Sequence, residues 1–296
     1  MSQSLSVAPS LLRSVLPDDW TRSIVVATDG RASADAALLA AGRLAGRQSI
    51  DVVSVVPAED ALDGTALTHV PSEALTEQRE IVAEQVARIF GASHTSRVTL
   101  RSGPPAAVIA SFAQVHAASL LVAGIGSANV LERLRGDETT LRLARMTRTP
   151  LFAVAPGRAV PPCKLVVATD FGRSCMSAAR LATAIAGDDA EVLLVHVSAT
   201  WEPKAPYGAL KRLADKLQTG FRGFVRPVEL EGDPATELLA FAAMSRADVI
   251  AVGAHGRRSS SDCATGSVAT RVVRCATCSV LLAPAEGSSE RPEDAV

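Results

Sequence analysis

A repeat runs through this chain. Val25-Val26-Ala27-Thr28-Asp29 returns as Val166-Val167-Ala168-Thr169-Asp170, and each copy leads into an alanine-rich stretch with helical spacing, Ala34 to Leu44 and Ala178 to Ile185. Further on, Gly103-Pro104-Pro105-Ala106 matches Gly232-Asp233-Pro234-Ala235, an offset of 129 residues. The same offset carries Phe112 onto Phe241, Gly124 onto Gly253, Arg142 onto Arg271 and Arg145 onto Arg274 without a gap. A unit that occurs twice decides the architecture before any motif is read. The 296 residues divide into two units of about 150, each large enough to close its own core. Pro156-Gly157-Arg158-Ala159-Val160-Pro161-Pro162 lies between them, and its prolines favour an extended connector. The expected division is a flexible leader over 1–19, a first domain over 20–156, a linker over 157–163, a second domain over 164–285 and a flexible tail over 286–296.

Inside each copy, short β-branched runs alternate with longer helical patterns. Strands are expected near 23–28, 50–56, 97–101, 119–124 and 150–154, and again near 164–169, 191–197, 225–230, 248–253 and 279–283. Apolar strands separated by helices imply parallel pairing with right-handed crossovers. The expected fold is α/β: two tandem doubly wound, Rossmann-like domains, each with a five-stranded, mainly parallel sheet. The stretch between the second and third strands is shorter in the second copy, and a short helix is expected near 208–219. In such sheets ligands settle beyond the carboxyl ends of the strands, where the strand order reverses.

After the fourth strand of the second copy comes Gly253-Ala254-His255-Gly256, then nine residues, then Gly266-Ser267-Val268 opening a helix. Glycines here let main chain approach a polyphosphate, and Ser267 suits the helix cap, so that the next amides face an anion with the helix dipole behind them. Arg257 and Arg258 are placed to add charge-assisted contacts. A turn whose glycines serve only backbone geometry has the same letters.

Gly-x-x-Gly, nine residues, Gly-Ser is the ATP-binding pattern of the universal stress proteins, and residues 20 to 285 resemble that family. Thr169-Asp170-Phe171, Leu194-Val195-His196-Val197, Gly232-Asp233-Pro234-Ala235 and the run from Ala247 to Arg257 carry the rest of the likeness. The resemblance implies an adenine nucleotide α-hydrolase-like fold and ATP as the ligand, alone or with Mg2+. It places Ala168, Thr169 and Asp170 by the adenosine and the main chain of Val197 at the adenine edge. Val252, Gly253, His255, Gly256, Arg257, Gly266, Ser267 and Val268 then line the phosphates and ribose. Asp170 acting only as a helix cap, His196 as strand-end packing and His255 as loop filling are the alternatives.

In the first copy the gapless offset sets Gly126, Ser127, Asp137 and Glu138 where the second has His255, Gly256, Gly266 and Ser267. Two glycines are lost and two carboxylates stand where the anion would lie. Like charges ~4 Å apart oppose each other by about 4 kcal/mol at an effective dielectric of about 20. Asp29 and Gly30 survive, so the first site is expected to be degenerate rather than erased. A shifted alignment recovers part of the spacing between Gly126 and Gly136, but still ends on Asp137.

Several function classes fall away. Thirty basic against thirty-one acidic residues leave no field for a nucleic-acid backbone. No apolar run reaches the roughly 18 residues a bilayer requires. The leader lacks a basic head and an apolar h-region, and five cysteines make an odd set, which favours reduced thiols in the cytoplasm. Cys275-x-x-Cys278 has metal spacing without a second pair and suits packing; Cys263, in the glycine loop beside two arginines, suits a redox-sensitive thiolate. Neither a Walker loop nor a Gly-x-Ser-x-Gly elbow occurs. The expected function is an ATP-binding stress regulator with no or very slow hydrolysis. A scaffold that binds no nucleotide and a cyclic-AMP sensor are the competing readings. Partners are expected to be an adenine nucleotide and an unidentified protein, with the last strands joining either the two copies or two chains.

Overall fold

The computed structural model describes residues 23–45, 49–57, 71–91, 98–125, 138–158, 160–198, 208–255 and 266–284. The strands are β1 (Ile24–Ala27), β2 (Ile50–Val56), β3 (Val98–Ser102), β4 (Leu120–Gly124) and β5 (Leu151–Val154) in the first lobe. In the second they are β6 (Lys164–Ala168), β7 (Glu191–Ser198), β8 (Phe224–Glu231), β9 (Val249–Gly253) and β10 (Ser279–Ala283). Helices α1 (Asp35–Ala45), α2 (Ser72–Phe90), α3 (Pro105–Val115) and α4 (Glu138–Met146) are matched by α5 (Arg173–Ile185), α6 (Ala209–Gln218), α7 (Pro234–Met244) and α8 (Ser267–Cys275).

Central strands such as Ile24-Val25-Val26-Ala27 are apolar at every position because both faces are covered. Ile24 and Val26 pack with α1 and α2, while Val25 and Ala27 pack with α3 and α4. The second lobe repeats this, with Leu165 and Val167 toward α5 and α6 and Val166 toward α7 and α8. The result is three layers, helices on either side of a sheet.

The two five-stranded units are not separate sheets. They join into one of ten strands in the order β3-β2-β1-β4-β5-β10-β9-β6-β7-β8. The β5–β10 pair is antiparallel and the other neighbouring pairs are parallel. Phe152 faces Leu281, its own counterpart in the repeat, with Ala153 opposite Val280 and Leu151 opposite Leu282. That register is what a two-fold relation between copies requires. Of the two expected uses for the last strands, the internal one is realised. Ser279 Oγ accepts the Ala155 N–H at 3.0 Å, Arg158 donates to the Thr277 carbonyl at 3.0 Å, and Arg43 donates to the Val160 carbonyl at 2.7 Å, which ties the connector down. Among the described residues, no helix is long and apolar enough to cross a membrane.

Candidate functional site

Strand order reverses beside β6, whose neighbours β7 and β9 leave it toward opposite flanks. Just past the end of β6, Thr169 Oγ1 accepts the Phe171 N–H at 3.0 Å and Asp170 Oδ1 accepts the Gly172 N–H at 2.9 Å. Phe171 adopts a left-handed φ of 62°, which turns the chain sharply into α5. Asp170 thus shapes the loop two residues before the Gly172 cap, and it also lines the cavity described below.

The end of β9 meets the start of α5 at close range. A Cβ on Gly253 would stand 2.6 Å from Ser174 Oγ and 2.8 Å from the Cys175 amide nitrogen. The glycine is therefore required by packing between strand and helix, and it also lines the cavity described below. Gly124 has the same position in the first lobe, with the Ser33 carbonyl 3.0 Å from its virtual Cβ. Ser174 Oγ donates to the His255 carbonyl. The Ala254 N–H donates to the Ala283 carbonyl and the Gly266 N–H to the Ala254 carbonyl, both at 2.7 Å, closing the base of the loop that α8 ends.

At the start of α8 the cap residue is Gly266, not Ser267, which is the first residue of the helix. The first helical bond runs from the Thr270 N–H to the Gly266 carbonyl at 2.9 Å. The amides of Ser267, Val268 and Ala269 consequently have no acceptor within the helix, and the positive end of its dipole lies there.

On β7, the Val195 carbonyl accepts the Thr169 N–H at 2.8 Å on the β6 flank, while the Ser198 carbonyl accepts the Gly232 N–H at 3.0 Å on the other. Main-chain groups alternate flanks along a strand. Val197, two residues past Val195, therefore turns its N–H and C=O toward the β6 flank, beyond Ala168. The Thr169 carbonyl instead faces His196 Nδ1 at 2.8 Å; a carbonyl only accepts, so the ring nitrogen is the donor. The His196 ring lies 4.8 Å from that of Phe171, and the residue also lines the cavity described next.

These elements enclose a cavity of about 460 Å³. It brings together Ala168, Thr169, Asp170, Val197, Val252, Gly253, His255, Gly266, Ser267 and Val268. Gly256 and Arg257, with Arg258 and Cys263, lie outside the described residues. His196, read from the sequence as strand-end packing, is also in the lining, and sequence reasoning missed Cys175, Val195, Pro234, Leu238 and Ala269 there. Strand parity marks Val195 two residues before Val197, and Leu238 lies one turn after Pro234 of the Gly-Asp-Pro-Ala motif; nothing local marks Cys175. Its thiol, 3.2 Å from Thr169 Oγ1 and donating to the Gly172 carbonyl at 3.0 Å, is pushed up above the usual cysteine range by burial.

The first lobe keeps the Asp29 turn, whose Oδ1 accepts the Arg31 N–H at 3.0 Å. Its Gly126, Ser127, Gly136 and Asp137 lie outside the described residues, and Glu138 opens α4.

The model of the universal stress protein family matches residues 21–155 and again 163–284. A universal stress protein of Methanocaldococcus jannaschii, MJ0531, is 31% identical over 137 residues, covering 40% of this chain and 80% of its own. The crystal structure of a universal stress protein from Archaeoglobus fulgidus superposes with a TM-score of 0.65 at 17% identity, covering 91% of this chain and 98% of that one. A family protein of Arabidopsis thaliana solved with AMP bound is 18% identical over 45% of this chain and 98% of its own, with a TM-score of 0.32. With two consecutive family matches on two repeats of one doubly wound unit, the chain belongs to the universal stress protein family.

Proposed function

We propose that the second lobe, residues 164–285, binds ATP and that the protein acts as a nucleotide-dependent regulator rather than a fast hydrolase. The observation that carries this reading is a pairing across one cavity. The outward-turned N–H and C=O of Val197 lie on one wall and the start of α8 on another, with Thr169 and Asp170 between them. A main-chain donor and acceptor side by side suit the edge of an adenine ring, and the amides of a helix start suit phosphate. A volume of about 460 Å³ falls in the ordinary range for small-molecule sites, roughly 300–1,000 Å³. Val195, Val197, Leu238 and Val252 supply apolar walls for the base. Asp170 and His255 are the groups placed to meet ribose, and Mg2+ would accompany the triphosphate.

The first lobe is proposed to hold no triphosphate, because its counterpart of the Gly266-Ser267 helix start reads Asp137-Glu138. The segments before residue 20, over 157–163 and after 285 are proposed to lie outside both domains.

Titration calorimetry with Mg-ATP is expected to give one site per chain, and Gly266→Glu is expected to weaken it by at least a hundredfold while the thermal midpoint stays near that of the parent. Competition with cAMP separates a triphosphate site from a cyclic-nucleotide site. Undiminished ATP affinity in Gly266→Glu, or no heat with the parent protein, overturns the assignment.

A further inference from the structure

Two helices form facing walls of the cavity. Pro234 and Leu238 come from α7, and Ser267, Val268 and Ala269 from α8. One turn inside α8, on the side toward α7, Arg271 reaches across. Its Nη1 donates to Asp233 Oδ1 at 2.7 Å and its Nη2 to Thr236 Oγ1 at 2.8 Å. Asp233 is itself the cap of α7, its Oδ1 accepting the Thr236 N–H at 3.0 Å and the Thr236 hydroxyl at 2.5 Å. One guanidinium thus holds the first turn of one wall through two atoms, a planar fork that lysine does not reproduce. Hydrogen bonds from Thr236, then the Arg271 charge, hold the Asp233 carboxyl below its usual range, so it is ionised at neutral pH.

The repeat offers an internal control. At the offset of 129 residues, Arg271 corresponds to Arg142, but Asp233 corresponds to Pro104 and Thr236 to Ala107. Pro104 caps α3 with no side-chain hydrogen bond. Both acceptors of the clasp are present in the lobe that carries the nucleotide loop, and both are replaced in the lobe whose loop has lost its glycines.

We propose that Arg271 is a positioning residue for the nucleotide cavity: its clasp on Asp233 and Thr236 sets the spacing between the α7 and α8 walls and so the fit of the ligand between them. The proposal rests on the ATP reading for its affinity readout, and has a second readout that does not.

In the ligand-free protein, hydrogen exchange at the amides of 235–238 and 267–269 is expected to quicken several-fold in Arg271→Ala, with exchange in β6 and β9 unaltered. Asp233→Asn keeps a capping oxygen for Thr236 but removes the ion pair. If capping alone mattered it would behave as the parent; a clasp makes it resemble Arg271→Ala. With Mg-ATP, Arg271→Ala and Asp233→Asn are each expected to weaken binding about fivefold, Arg271→Lys less, and the double variant no more than either single one. Slow, parent-like exchange in Arg271→Ala, or additive losses in the double variant, overturns the clasp. No ATP binding by the parent sinks the nucleotide reading instead, and leaves the exchange comparison to decide the clasp.

Discussion

Gly253 shows how one missing side chain joins fold to site. Its virtual Cβ meets the Ser174 hydroxyl at 2.6 Å and main-chain atoms of Ser174 and Cys175 at 2.8 Å. The hydroxyl can rotate away, but the first turn of α5 cannot withdraw without disturbing Thr169, Asp170 and Cys175, which share the cavity. Gly253→Ala is therefore expected to cost about 1–3 kcal/mol of stability, as overpacking does. Urea unfolding of the two proteins, compared at equal slope, measures it. A glycine at a strand end was legible in the sequence; its packing against α5 was not, because the letters around Gly253 name no partner and the helix it touches begins some eighty residues earlier. The same limit applies to the α8 cap, where Ser267 fits the capping preference but the helix begins one residue sooner than that preference suggests.

At the level of elements, the lobes differ most in the helix between their second and third strands. In the second lobe α6 covers Ala209–Gln218, close to the span expected from periodicity. In the first, the nineteen residues of α2 reach back over the end of β1. Buried Gln85 accepts the Thr28 hydroxyl at 2.6 Å and donates to the Arg31 carbonyl at 2.8 Å and Asp35 Oδ1 at 2.7 Å. Gln78 donates to the Asp29 carbonyl at 2.9 Å, and Ile81 packs where a Cβ on Gly30 would fall. The loop that carries Asp170 in the second lobe is thus bolted down in the first. Glu73, Glu77 and Glu80 form an exposed face of α2; that the opposite face carries a polar clamp was not legible in the sequence, since a buried glutamine has no local signature. Gln85→Leu leaves the Arg31 carbonyl and the Asp35 carboxylate without their amide donor. A loss on the order of 1–3 kcal/mol follows, read as a lower denaturant midpoint. The ATP binding proposed for the second lobe is expected to stay unchanged, because no residue of α2 lines its cavity.

For the whole molecule, the parallel strands, their order of burial and the repeat were readable from alternating apolar runs and a constant offset, yet the junction was not. Leu151–Val154 is apolar throughout and Ser279–Ala283 is apolar after its first residue, which fits burial on both faces whether the neighbour belongs to the same chain or to another. The fold settles that choice through the antiparallel register centred on Phe152 and Leu281. It also contrasts the inner edges with the outer ones: β8 carries Pro227 within the terminal strand, where a missing N–H discourages further pairing, whereas β10 has no such guard. Separating the lobes would bare that apolar edge. Residues 163–284 produced alone should therefore pair through β10 with a second copy, placing Leu281 opposite Leu281 in the register that Phe152 and Leu281 hold in the intact chain. Sedimentation is expected to show a dimer, and an arginine at position 281 to shift it to monomer or to insoluble protein. A stable, soluble monomer of the unaltered lobe would mean that β10 can end a sheet unaided, and that the central pairing contributes less to the molecule than its burial implies.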